Sequence, residues 1–177
     1  PNETKFKNWA SKNHFKLSDL FPTIHKTDVH LLDLSVSSSW IGHENDFNDI
    51  DLFQFKIEKL QKNIPNKIIA GGYLVPRPLY TSTSYDKIGN NGRESRTIHI
   101  GTDFWLPQNT IVHALFDGEI IIATNDAGDK EYGGLVVLKH RTNDFDFFTL
   151  YGHLSIKSAK KHTQGDTIKK GDHALKH

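Results

Sequence analysis

From Lys67 onward the chain is divided into apolar runs too short to make helices. KIIAGGYLV, TIVHALF, GEIIIAT, GLVVLKH, FDFFTLYGHL and DTIKKGD follow one another, each bounded by Gly, Asp, Asn or Pro. Runs of roughly four to eight residues rich in Val, Ile, Thr and Phe suit strands, and turn residues between them suit tight reversals. Parallel neighbours need long crossovers, whereas antiparallel neighbours need only a short turn. This half is therefore expected to be a mostly antiparallel β-sheet domain.

The first part reads differently. In DFNDIDLFQFKIEKLQKN, residues Phe47, Ile50, Phe53, Ile57 and Leu60 recur at three- and four-residue steps, the signature of one apolar helix face. Asp46 or Asp49 would cap its start, and Pro65-Asn66 would end it. NETKFKNWASKNHFKLSDLF has mixed, partly helical periodicity, and DVHLLDLSVSS reads as a strand. The expected fold class is α+β, with a partly helical N-terminal extension over 1–64 and a β-sheet domain over 65–177.

Composition narrows the chemistry. The 177 residues carry a net charge of +1, which gives no bias toward nucleic acid or membrane surfaces. No run reaches the roughly 18 apolar residues of a membrane span. Nothing sets an oligomeric state. The absence of cysteine excludes disulfides, thiolate metal sites and cysteine nucleophiles together. Any zinc would have to use His, Asp or Glu, a ligand set more typical of catalytic than of structural zinc, and eleven histidines are on hand.

Two short stretches concentrate that supply. RTIHIGTDFWLP places His99 four residues before Asp103 with Gly101 between. In an extended segment such positions share a face, and a bend at Gly101 would still let both converge on one ion. LYGHLS places His153 at the end of an apolar strand. It reads either as a surface histidine where the strand runs out or as an acid/base group at the rim of a cleft. His140, which ends GLVVLKH, is expected to be a half-buried strand residue, and His113 to face outward by alternation.

Taken in order, these stretches resemble the lysostaphin-type, or LytM-like, zinc endopeptidases. The matching positions are His99, Gly101 and Asp103, then Pro107, Thr110 and Val112, then Ala114 and Asp117-Gly118. They continue through Tyr132-Gly133, His140, Tyr151-Gly152-His153-Leu154-Ser155 and Gly165-Asp166 to Ile168 and Gly171. The family usually has Gly where this chain has Asn109. The resemblance implies that His99 and Asp103 are zinc ligands, that His153 is one of two catalytic histidines, and that Arg77 and Tyr80, upstream of the first motif, are candidates for contact with a substrate. It implies peptidoglycan peptides as substrate and the cell envelope or periplasm as location. The alternative it leaves is a catalytically inactive LytM-like module that binds cell wall or activates an amidase. The family takes its third ligand and second catalytic histidine from a later His-x-His strand. Here the chain reads GDHALKH, with His173 and His177 four apart, so the natural protein is expected to continue.

Overall fold

The computed structural model describes residues 2–26, 28–42, 49–78, 86–89, 92–95, 97–128, 131–172 and 175–176. The chain forms two compact units, one made of residues 1–25 and 107–177 and the other of residues 26–106. The expected boundary at 64/65 falls inside the second unit.

The 26–106 unit is built on a strand–helix–strand segment. Strand β1 (Asp28–Leu32) pairs parallel with β2 (Lys67–Gly71), and helix α3 (Ile50–Asn63) lies between them in sequence. A parallel pair needs a long crossover, and the helix supplies it. Asp49, not Asp46, is the described cap: its side chain accepts a hydrogen bond from the Leu52 amide, satisfying a donor the first helical turn leaves open. Ile57 is buried and packs with Leu32, Leu34, Ile41 and Ile69, while Phe53 and Leu60 close over them. Ile50 is exposed, so the apolar face begins one turn later than its spacing suggested. Phe47 lies outside the described residues. Each fully buried Ile or Leu here contributes about 1.5–3 kcal/mol relative to exposure. On its other edge β2 pairs antiparallel with β7 (Phe104–Trp105), matching Ile69 to Trp105 and Ala70 to Phe104. The short strands β3 (Val75–Pro76) and β6 (Ile98–His99) pair antiparallel, as do β4 (Asp86–Gly89) and β5 (Gly92–Ser95).

The other unit is an antiparallel sheet with spatial order β11-β10-β9-β12, made of β9 (Gly118–Asp126), β10 (Gly133–Arg141), β11 (Asp146–Leu154) and β12 (Thr167–Ile168). Strand β10 is central and buried along most of its length, with Val136, Leu138 and His140 on the inner side. Strand β11 alternates, turning Phe147, Thr149 and Tyr151 inward and leaving Phe148 and Leu150 exposed. Helix α4 (Ile156–Ala159) follows, capped by Ser155, whose side chain accepts from the Ser158 amide. Strand β8 (Ile111–Val112) pairs with β13 (Leu175–Lys176). The N-terminal helices are α1 (Asn2–Ala10) and α2 (Leu17–Leu20). Trp9 of α1 packs against Phe147 of β11, with ring centroids 4.6 Å apart.

The turns singled out by sequence have identifiable physical work. Asn109 has φ +68°, a left-handed conformation that favours Gly and tolerates Asn better than most residues. Asn therefore suits the backbone at position 109, and Thr110 follows with its hydroxyl donating to the Pro107 carbonyl at 2.6 Å. At the Asp117-Gly118 turn the Asp117 carboxylate accepts from the Lys170 amide at 2.8 Å. That bond, then the one from Lys169, holds the Asp117 carboxyl below the usual carboxylate range.

Candidate functional site

The geometry around His99 and Asp103 is set by one reversal of backbone. The β2 ladder ends at Gly71, whose amide donates to the Asp103 carbonyl at 2.8 Å. After a turn through residues 72–74 the chain returns as β3, where Val75 pairs with His99. The two sequence-predicted ligands thus lie against opposite ends of a single connection. The segment carrying them is not a continuous strand, because it breaks at Gly101 between β6 and β7. The break does not separate the side chains: His99 Nε2 stands 3.5 Å from Asp103 Oδ1.

That separation is longer than an ordinary N–H···O bond of about 2.7–3.2 Å. Nitrogen and oxygen ligands at zinc distances in a tetrahedral arrangement stand about 3.3 Å apart. The pair therefore fits a shared divalent ion in donor type and in spacing. Neutral imidazole and carboxylate are both zinc donors. Among the described residues no group of three His, Asp or Glu side chains converges on one point. His173 and His177, the nearest histidines in the sequence to the expected third-ligand strand, lie outside the described residues.

The other oxygen of Asp103 is engaged. Arg77, only 6% exposed, donates from Nη1 to Asp103 Oδ2 at 2.5 Å. Sequence reading offered Arg77 as a substrate contact; the structure places it beneath Asp103. Tyr80, its companion in that expectation, lies outside the described residues.

His153 belongs to the other unit, and its surroundings are described within it. It is exposed and has φ +57°. A non-glycine residue held in a sparsely populated backbone region costs of order 1–3 kcal/mol and persists only where neighbours enforce it. Three neighbours do so here. The His153 amide donates to the Tyr132 carbonyl at 2.7 Å. Leu154 is buried and pairs with Gly134. The Tyr132 ring lies against Gly152 so closely that a Cβ there would stand 2.5 Å from it. The register between β10 and β11 slips between Gly134 and Val136, which makes this a β-bulge. Bulges re-aim a side chain, and this one sets the imidazole of His153 apart from the regular alternation of β11. Sequence reading noted the Tyr132-Gly133 step only as a turn. Its role in clamping His153 is long-range in sequence and had no local signal.

His140 is a contrasting case. It is 1% exposed, more deeply buried than the half-buried position expected of it. Its Nδ1 meets the Asp117 carbonyl at 2.8 Å and its Nε2 meets the Thr149 hydroxyl at 2.7 Å. A carbonyl can only accept, so Nδ1 carries the proton and, in the neutral ring, Nε2 accepts from Thr149. Burial pushes His140 below the usual imidazole range, partly countered by the bond to Asp117. Phe147 stacks on the ring, with centroids 4.7 Å apart. Beyond Thr149, the Tyr151 hydroxyl accepts from the Leu115 amide at 3.3 Å, and burial raises the Tyr151 pKa. His113 is half-buried rather than outward-facing, His14 and His25 are exposed, and His30 is half-buried.

Histidine and carboxylate are among the donor types that metal-assisted hydrolases use. Residues 97–174 match the model of Peptidase family M23, the LytM/lysostaphin-type family that the motif order resembles. The matched family is one of peptidases. No curated protein and no solved structure matches the chain. Among the described residues no helix is long and apolar enough to cross a membrane.

Proposed function

We propose that this protein is a zinc-dependent endopeptidase that hydrolyses amide bonds in peptidoglycan cross-links or bridge peptides, in the cell envelope or periplasm. The observation that carries the reading is the 3.5 Å separation of His99 Nε2 and Asp103 Oδ1, inside the segment that matches the peptidase family. In this reading His99 and Asp103 hold the zinc. When bound, zinc polarises the scissile carbonyl and makes a water molecule acidic enough to attack near neutral pH. His153, exposed on its bulge, serves as a proton acceptor and donor, the task for which an imidazole suits neutral pH.

The test is hydrolysis of cross-linked peptidoglycan peptides by the full-length protein, with and without a zinc chelator. Chelation should abolish turnover and zinc should restore it. His153→Ala should retain the metal and lose about 10²–10⁴-fold in kcat, the contribution of a positioned acid/base group. Turnover that survives chelation would contradict the zinc reading, and unchanged kcat in His153→Ala would remove that residue from the reaction. A protein that binds zinc and leaves every peptide intact would instead be the cell-wall-binding or amidase-activating module.

A further inference from the structure

We infer that Arg77 is a positioning residue for the proposed metal site, acting through Asp103 rather than by touching substrate; the inference rests on the zinc reading above. Three observations carry it. First, the guanidinium takes one specific oxygen, Asp103 Oδ2, and leaves the Oδ1 edge toward His99. A carboxylate can rotate about its Cβ–Cγ bond, and a charge-assisted bond from a buried arginine fixes that rotation. Second, the backbone of the same residue is tied to the strand of the other ligand. The Arg77 amide donates to the Thr97 carbonyl at 3.2 Å, directly beyond the pairing of Pro76 with Ile98 and Val75 with His99. Arg77 therefore joins the backbone that orients His99 to the carboxylate of Asp103.

Third, the seat for this side chain is made by a missing Cβ. A Cβ added at Gly71 would stand 2.8 Å from Arg77 Nη2 and 3.7 Å from Asp103 Oδ2. Any other residue at position 71 would press on the guanidinium at Nη2 and require it to shift. The remaining donors, Nε and Nη2, are buried with no hydrogen-bond partner among the described residues. The bond to Asp103 is thus the principal described compensation for a buried cation, and that makes the pair hard to rearrange.

Outer partners of metal ligands typically change metal affinity by 10- to 100-fold when removed. The experiment measures the zinc Kd of the full-length protein by competition with a chromophoric chelator, alongside circular dichroism and, at saturating zinc, KM and kcat on a peptidoglycan peptide. Arg77→Gln should weaken zinc by about 10- to 100-fold. Arg77→Lys, which keeps the charge and loses the planar fork, should fall between wild type and Arg77→Gln. Gly71→Ala, which alters neither ligand nor arginine, should also weaken zinc, whereas Tyr73→Ala, on the exposed part of the same turn, should not. If Arg77→Gln fails to fold, Arg77→Lys and Gly71→Ala carry the test. Zinc affinities equal to wild type in folded variants would overturn the inference, and so would a raised KM at saturating zinc with unchanged zinc Kd. Wild-type protein that takes up no zinc would instead refute the metal reading on which the inference stands.

Discussion

Among the described residues, two polar clusters centre on a largely enclosed histidine, and their described bonds differ. Around His140 the chain closes on itself: the Asp117 carbonyl satisfies one nitrogen, the Thr149 hydroxyl the other, and aromatic rings cover the faces. Around His99 the described bonds run through the carboxylate of Asp103. The Arg77 guanidinium takes one oxygen of Asp103, and the other faces the imidazole at a distance suited to two ligands of one ion. A polar network that closes on itself rigidifies a core, whereas an imidazole–carboxylate pair at this spacing suits two ligands of one ion, as proposed above. Burial alone does not separate the two, since both histidines are largely enclosed, His140 at 1% and His99 at 12% exposed. What separates them is the distance to the described partner: 2.7 and 2.8 Å at the His140 nitrogens against 3.5 Å from His99 Nε2 to Asp103.

The largest expected effect tests the His99 cluster. His99→Ala and Asp103→Ala should each remove stoichiometric zinc from the full-length protein, read by metal analysis after dialysis. Asp103→Ala should in addition lower the stability of the metal-free protein by up to about 3 kcal/mol, because it leaves the buried Arg77 charge without its partner. Equal metal content in wild type and variants would make the two clusters alike and erase the comparison.

The His140 cluster should respond in stability and not in metal. His140→Ala should cost about 2–4 kcal/mol in urea unfolding, from the cavity and from the abandoned Asp117 and Thr149 groups. Its zinc affinity should equal that of wild type, and a loss of zinc there would show that the clusters are coupled. The same histidine gives an acid sensitivity. Its folded pKa lies below the unfolded value of about 6.5. Between those two values the unfolded chain binds more protons, so stability rises with pH. The contribution is complete above about pH 6.5 and is lost as pH falls through the folded value. The melting temperature should therefore drop on going from pH 7.5 toward 5, and His140→Gln should show a shallower drop; identical slopes would remove His140 as the cause. Carboxylates such as Asp117, whose pKa is lowered, act in a separate window, losing their contribution only below the usual carboxylate range.

How much of this was legible in the chain follows from the range of the forces involved. The strands after Lys67 and the helix over 50–63 were readable because period and turn residues are local signals. The parallel pairing of β1 with β2 was not, since it depends on a helix of 14 residues returning the chain to the same edge. The meeting of His99 and Asp103 was legible as a possibility of spacing, although the segment bends where a continuous strand was one of the options. Arg77 beneath Asp103 was illegible: its partner lies 26 positions away, and its seat is the missing side chain of Gly71. The burial of His140 was underestimated because alternation gives the face but not what covers it. Asn109 is the opposite case, an apparent departure that the backbone explains. The smallest predicted effect lies there: Asn109→Gly should change stability by less than about 0.5 kcal/mol, while Asn109→Val should cost about 1–2 kcal/mol.

The most direct measurement is anomalous diffraction at the zinc edge from crystals of the full-length protein grown with zinc. A single strong peak bridging His99 Nε2 and Asp103 Oδ1, with Arg77 still seated on Oδ2, is the result expected. Zinc-saturated crystals whose only metal peak lies elsewhere, with the His99 ring turned away from Asp103, would contradict it.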